Sequence, residues 1–195
     1  MVFFSTPSSS KEPIILPRLE SYFSRLSGTA FDQAVGALAA ARDILVVGSG
    51  ATSATARFFA HSLQVIGLHA EPLLDGDIML SVKLAHVTAE DVVVGMSMWR
   101  YVRSTLEALE QARARGACTV AITDSVVSPL ARQADYAFEV ATIGVAHNLS
   151  LTALMALLNA LIAGVSLRDT ARTAASLMRV DQELYARNLV VDRNG

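Results

Sequence analysis

Residues 43–56 read DILVVGSGATSATA, a short apolar run followed by two glycines and then by small and hydroxyl-bearing side chains. Ile44 to Val47 are continuously apolar, which is typical of a strand that is buried on both faces. Gly48 and Gly50 permit a tight turn, because glycine has no Cβ to restrict its backbone. The stretch therefore predicts a buried strand, a glycine turn and then a helix.

The start of that helix is a predicted anion-binding position. Its first backbone N–H groups have no partner within the helix, and the helix dipole places partial positive charge there. A phosphate group fits this chemistry. The residues that would line the position are Ser49, Gly50, Thr52 and Ser53. A glycine turn without any ligand explains the same pattern, so both interpretations stay open at this point.

The composition predicts one globular domain with no affinity of its own for nucleic acid. The chain has 195 residues, 52% of them hydrophobic, which is enough to bury one sizeable core. A formal net charge of −2 provides no basic surface for DNA. The apolar run over 149–163 is interrupted by Asn159 and is shorter than the roughly 20 residues that span a bilayer. With a single cysteine and no export signal, we expect a cytoplasmic protein without a membrane segment.

Two parts of the chain differ in composition. Residues 1–15, rich in serine and proline, are predicted to be a disordered lead-in. Residues 16–195 are predicted to form a single domain with additional helices at both ends. The amino-terminal helices are predicted over 17–27 and 30–41, and the carboxyl-terminal helices over 148–163 and 167–189. The last of these is amphipathic through Leu167, Ala171, Ala174, Met178 and Tyr185.

Between these ends, apolar strands alternate with helices. Strands are predicted at 44–47, 69–74, 91–96, 118–123 and 136–140, and helices at 51–66, around Leu80 and Leu84, and at 106–115. Crossover connections of this length imply a parallel sheet covered on both faces. The fold class is therefore α/β, a three-layer α-β-α sandwich with a five-stranded parallel sheet.

Polar side chains collect after the predicted strands. Ligands in such sheets bind beyond the carboxyl ends of the strands, so we expect these residues to line one crevice. They are Ser49 to Ser53 after the first strand, Asp75 and Asp77 after the second, Ser97, Arg100, Tyr101 and Arg103 after the third, and Thr123, Asp124, Ser125 and Ser128 after the fourth.

Three of these stretches resemble a known family. GSGATS at 48–53, SMWRYVRST at 97–105 and TDSVVSPLARQAD at 123–135 resemble the sugar isomerase (SIS) domain, and above all the effector domain of RpiR-type transcriptional regulators. The resemblance covers roughly residues 31–163. It implies a flavodoxin-like or Rossmann-like sheet, binding of a phosphosugar, and assembly into a homodimer, a tetramer or a larger oligomer.

The loop at 97–102 departs from the family pattern. SIS domains often carry S-x-S-G-x-T there, whose hydroxyls hold the sugar phosphate. Ser97 matches the first serine, but Trp99, Arg100 and Val102 replace the second serine, the glycine and the threonine. A guanidinium binds phosphate in a bidentate manner, so Arg100 is a candidate ligand together with Tyr101 and Arg103. Alternatively, the arginines belong to a solvated helix start.

The leading functional hypothesis is a sugar-phosphate sensor that acts through a DNA-binding helix-turn-helix domain. The resemblance implies such a domain, and the residues before the first strand are too few to contain it, so DNA binding is expected only through a segment outside this chain. The candidate ligand-binding residues are Ser49, Gly50, Thr52, Ser53, Ser97, Arg100, Tyr101, Arg103, Ser128 and His147.

The alternative hypothesis is a free-standing aldose–ketose isomerase of sugar phosphates. Such an enzyme needs a general acid or base, and residues 140–168 contain no aspartate or glutamate. His147 and Glu71 are the candidate bases, although a histidine at a helix start also serves as a cap. The sensor hypothesis is preferred for this reason, and no catalytic residue is assigned.

No metal or cofactor is predicted. The histidines lack clustered cysteine or carboxylate partners at ligand spacing. A dinucleotide site is disfavoured because Ser53 replaces the third glycine of G-x-G-x-x-G. A serine hydrolase is disfavoured because Trp99 replaces the final glycine of G-x-S-x-G.

Overall fold

The core of the domain is a five-stranded parallel sheet. The computed structural model describes residues 27–74, 78–142 and 149–191. Its strands are β1 Ile44–Gly48, β2 Ala70–Leu73, β3 Val92–Met96, β4 Cys118–Thr123 and β5 Tyr136–Glu139, in the spatial order β2-β1-β3-β4-β5. All neighbouring strands run parallel. The predicted fold class is confirmed.

Helices cover both faces of this sheet. They are α1 Gly28–Ala40, α2 Ala51–Val65, α3 Ile78–Ala85, α4 Arg103–Ala114, α5 Pro129–Arg132, α6 Thr152–Arg168 and α7 Thr170–Ala186. Helices α1, α2 and α6 pack with alternate residues of the strands into one core, and α3, α4 and α5 pack with the others into a second core. Because both faces are covered, every residue of β1 and β3 is buried, which explains their continuous apolar sequences.

The prediction that a helix ends at residue 163 was wrong, because α6 continues to Arg168. Gly164 lies inside the helix. A Cβ there would lie 2.9 Å from a methyl carbon of Val35 on α1. The glycine therefore serves the close approach of two helices. The actual break is at Asp169, whose carboxylate accepts the backbone N–H of Arg172 at 2.8 Å and caps α7.

The last helix carries the predicted amphipathic residues except Leu167, which belongs to α6, and its apolar side is exposed among the described residues. Met178 is 63% exposed and Tyr185 is 55% exposed, while Ser176 is the buried residue of α7. Ala171 and Ala174 are exposed as well. The described part of the chain therefore does not bury this stripe within the domain.

Some predictions fall partly or wholly outside the described residues. The lead-in over 1–15 lies outside them, as does the helix predicted over 17–27 except for Ser27, and the single-domain assignment for 16–195 stays a prediction. Among the described helices, none alone is long and apolar enough to cross a membrane. Only α6 and α7 taken together, bent by 107° at their junction, match on length and composition.

Candidate functional site

The loops that follow β1 and β3 lie side by side at the carboxyl edge of the sheet. Gly48 is paired with Met96 in the register of these strands, so Ser49 and Ser97 follow directly paired residues. The chain proceeds from β1 to β2 on one side and reaches β3 on the other, which makes this the topological switch point. The fold thus brings together the two loops that carry most of the predicted ligand-binding residues.

The turn between β1 and α2 is built on its two glycines. A Cβ on Gly48 would lie 2.8 Å from the carbonyl oxygen of Thr52 and 2.9 Å from the Cβ of Ala56, so the strand end approaches the helix closely. Gly50 has φ 60° and ψ −125°, a conformation that is essentially restricted to glycine. The predicted glycine turn is present.

The hydroxyls of this turn make internal hydrogen bonds. The Thr52 hydroxyl accepts the backbone N–H of Ser49 at 3.1 Å and lies 2.9 and 3.1 Å from the carbonyl oxygens of Ser49 and Met96. Ser53 donates to the carbonyl oxygen of Gly50 at 2.7 Å. Thr52 is buried, so its role in the structure is to join the turn to the end of β3.

The amino end of α2 lies at this edge of the sheet and has no side-chain cap. Within the described part of the chain, the backbone N–H groups of Gly50 and Ala51 have no hydrogen-bond acceptor. These groups and the positive end of the helix dipole are suited to an anion.

The loop after β3 is organised by Ser97. Its hydroxyl accepts the backbone N–H of Val102 at 3.0 Å and donates to the carbonyl oxygen of Arg100 at 3.3 Å, and the residue is only 3% exposed. The side chains of Arg100 and Arg103 are exposed, and Arg103 lies 3.8 Å from Glu107. The loop therefore presents guanidinium groups at its surface and keeps its serine inside.

A second group of residues connects this loop to β4 and β5. Asp124 accepts the backbone N–H of Trp99 at 2.9 Å and the hydroxyl of Tyr101 at 2.9 Å. The indole N–H of Trp99 donates to the hydroxyl of Thr142 at 2.8 Å. Burial, followed by the hydrogen bond to Asp124, raises the pKa of Tyr101 above its ordinary value. Tyr101 is therefore a neutral hydrogen-bond donor here.

Ser128 is linked to this group through Thr123, whose hydroxyl lies close to both Asp124 and Ser128. Its hydroxyl accepts the backbone N–H of Ala131 at 3.0 Å, which caps α5, and the hydroxyl of Thr123 at 3.1 Å. It is buried, so its visible role is to fix the short helix after β4. His147 lies outside the described residues.

Glu71 lies near the amino ends of the strands, whereas the residues described above lie at the carboxyl ends. It lines a cavity of about 700 Å³ formed by residues at the amino ends of β1, β2 and β3. Its carboxylate is 2.7 Å from the Lys83 ammonium, in an ion pair. The structure therefore does not bring Glu71 to the edge where Ser49 and Ser97 lie. The described residues contain no cluster of three or more histidine, cysteine, aspartate or glutamate side chains that could hold a metal ion.

Two residues of the site were absent from the predicted set. Asp124 was noted only as one of the polar residues after the fourth strand, and Thr142 was not considered. Asp124 directly follows β4 and Thr142 comes three residues after β5, at the edge where ligands bind in such folds. Position after a strand was the available signal, but their partners are 25 and 43 residues away in sequence and become apparent only in the fold.

Comparison with known proteins places this geometry in a family. The sequence model of the SIS domain family matches residues 37–164. An HTH-type transcriptional regulator of Haemophilus influenzae, itself uncharacterized, is 30% identical over 118 residues, which are 60% of this chain. The chain spans only 41% of the length of that curated relative.

Solved structures agree with this match. The sugar isomerase domain of an RpiR transcription factor from Sphaerobacter thermophilus is 38% identical, with a TM-score of 0.82 over 85% of this chain and 93% of that one. The Vibrio vulnificus NanR protein, solved in complex with ManNAc-6P, shares the fold at 18% identity, with a TM-score of 0.75 over 90% of this chain and 67% of that one. The chain therefore belongs to the SIS domain family and is similar to the sugar isomerase domain of an RpiR-type regulator.

Proposed function

We propose that this domain binds a sugar phosphate at the carboxyl edge of its sheet and serves as the effector-sensing part of an RpiR-type transcriptional regulator. The observation that carries the proposal is the 38% identity to the RpiR sugar isomerase domain over 93% of that chain. The Haemophilus influenzae relative, an HTH-type regulator, supports the regulatory role.

The geometry of the edge supports an anionic ligand. The amino end of α2 offers the backbone N–H groups of Gly50 and Ala51, and the neighbouring loop offers the exposed guanidinium of Arg100. Both favour a phosphate, one through the helix dipole and the other through charge-assisted hydrogen bonds. The complex of NanR with ManNAc-6P, a protein of the same fold, is consistent with this ligand class.

The readout in this proposal is a change in how copies of the domain pair. In this proposal the exposed apolar residues of α7 pack against a second copy, giving a homodimer or a tetramer in the cytoplasm. DNA contact in this proposal belongs to a helix-turn-helix domain. Ligand binding would then alter the spacing of the DNA-binding domains, although the ligand-binding domain itself does not contact DNA.

An isomerase is the competing function. It requires a base near the reacting carbons of the sugar, and Glu71, one of the two candidates, is paired with Lys83 at the other edge. This placement favours the sensor. Turnover of ribose, arabinose or hexose phosphates by the purified chain would favour the isomerase instead.

A thermal-shift screen against sugar phosphates tests the proposal. A ligand at about 100 times its dissociation constant raises the free energy of unfolding by about 2.7 kcal/mol. We expect at least one sugar phosphate to raise the melting temperature and its unphosphorylated sugar to have little effect. Equal effects of both compounds, or no effect of any sugar phosphate, would contradict the proposal.

A further inference from the structure

Trp99 has an unusual backbone conformation for a large residue. Its φ is +62°, in the left-handed region that favours glycine. Conformations of this kind carry strain and persist where the surrounding structure enforces them, often at functional sites. A large side chain in a strained conformation at the carboxyl edge of the sheet points to a functional role.

Hydrogen bonds hold this tryptophan at both ends. Its backbone N–H donates to Asp124 after β4, and its indole N–H donates to Thr142 after β5. Since β4 lies between β3 and β5, the side chain extends across the carboxyl end of β4. The residue nevertheless remains 52% exposed, whereas Thr142 is only 6% exposed. The ring is therefore fixed in position and open to solvent on part of its surface.

Asp124 beside it retains hydrogen-bonding capacity. One carboxylate oxygen accepts the Tyr101 hydroxyl and lies 3.4 Å from the Thr123 hydroxyl oxygen, while the other accepts only the backbone N–H of Trp99 among the described residues. A carboxylate offers about four acceptor positions in all. At least one remains for a hydroxyl donor on a ligand.

We propose that Trp99 is a ligand-contacting residue whose ring is the platform for the sugar part of the ligand, with Asp124 accepting a sugar hydroxyl. This inference rests on the proposed function and divides the site into two ends. The phosphate lies at the amino end of α2 near Arg100, and the sugar ring lies against the indole. An apolar ring face together with a few placed polar groups is the usual composition of a small-molecule site. Because the tryptophan is already ordered, binding requires little loss of side-chain freedom.

The chain contains a single tryptophan, so its fluorescence reports on this position alone. The probes are ribose 5-phosphate, arabinose 5-phosphate, glucose 6-phosphate and their unphosphorylated sugars. We expect the sugar phosphate that binds best by titration calorimetry to change the emission of Trp99 saturably, with the same dissociation constant by both methods.

Three variants test the contact. Trp99→Gly removes the ring and suits the positive φ, so we expect a folded protein with about tenfold weaker binding. Trp99→Phe keeps an aromatic ring without the N–H, so it should lose less binding affinity than Trp99→Gly. Thr142→Val removes the acceptor of the indole N–H at nearly constant volume, so we expect altered emission and a weakening of about threefold. Arg115→Ala, at the far end of α4, is the control and should leave binding unchanged.

The outcomes separate this inference from the proposed function. If a sugar phosphate binds the parent but its affinity is unchanged in Trp99→Gly and the emission of the parent does not respond, the tryptophan is structural and the inference is wrong. Tighter binding by Trp99→Gly would show that the ring blocks the crevice and would overturn it as well. If no probe binds the parent, the inference fails together with the proposed function.

Discussion

Gly48 at the end of β1 lies directly against the first turn of α2, where a Cβ would be 2.8 Å from the carbonyl oxygen of Thr52. That atom belongs to the backbone, so it cannot move aside as a flexible side chain would. The close approach positions the helix start over the end of the strand, and with it the N–H groups proposed to hold the phosphate.

We therefore expect Gly48→Ala to destabilise the protein by about 1–3 kcal/mol through overpacking. Denaturant unfolding measures this. Gly36→Ala is the matched control, because no atom lies within 4 Å of a Cβ at that position in α1. It should stabilise the protein by roughly 0.5–1 kcal/mol, since alanine is the better helix former. Equal effects of the two substitutions would show that the contact at Gly48 relaxes without cost.

Arg100 is expected to contribute to phosphate binding. A hydrogen bond to a charged group is worth about 1.5–3 kcal/mol, so Arg100→Ala should weaken sugar-phosphate binding roughly 10- to 100-fold. Arg100→Lys should restore only part of the affinity, because an ammonium cannot form the bidentate contact. Titration calorimetry with a sugar phosphate and its unphosphorylated sugar measures both, with Arg115→Ala as control. Unchanged phosphate binding by Arg100→Ala would mean that this arginine does not contact the ligand.

Cys118 is expected to be unreactive in the folded protein. Burial, with a smaller contribution from the Asp135 carboxylate, raises the pKa of its thiol from 9.0 to about 11. At about pH 8 the native thiol should react with a disulfide reagent far more slowly than the denatured chain does. Rapid stoichiometric labelling of the native protein at that pH would contradict the expectation.

The same shift predicts a pH dependence of stability. Because the pKa is higher in the folded than in the unfolded chain, the contribution of the neutral thiol is complete below about pH 9 and is lost as the pH rises through about 11. The free energy of unfolding should therefore fall with rising pH more steeply in the parent than in Cys118→Ala. Parallel pH profiles would show that the thiol titrates normally in the fold.

The apolar stripe on α7 is expected to mediate self-association. Leu177, Met178 and Tyr185 are exposed among the described residues, so pairing would remove apolar surface from water. Light scattering at micromolar concentration should give a dimeric or larger mass, and Met178→Glu should lower it without affecting folding. Val82→Glu, which places the same charge at an exposed position on α3, is the control. A monomeric mass for the parent would contradict the prediction.

Much of this architecture follows from local sequence alone. Continuous apolar runs such as Ile44 to Val47 indicate strands that are buried on both faces, and regular alternation with helices implies parallel crossovers. The turn at Gly48 and Gly50 was predictable because it depends on backbone conformations that neighbouring residues determine. The carboxyl ends of parallel strands all lie at the same edge of the sheet, so the location of the candidate site also followed from the order of the elements.

The tertiary structure alone decided what individual side chains do. Gly164 resembles a helix end in sequence, yet it allows α6 to pack closely against Val35. The hydroxyls of Thr52, Ser97 and Ser128 are predicted ligand groups, and only the fold shows that they also join loops or cap a helix. The bond between Trp99 and Thr142 connects residues 43 positions apart. Local sequence determines the type of each element, whereas the partner of a side chain depends on packing between distant segments, which no local pattern encodes.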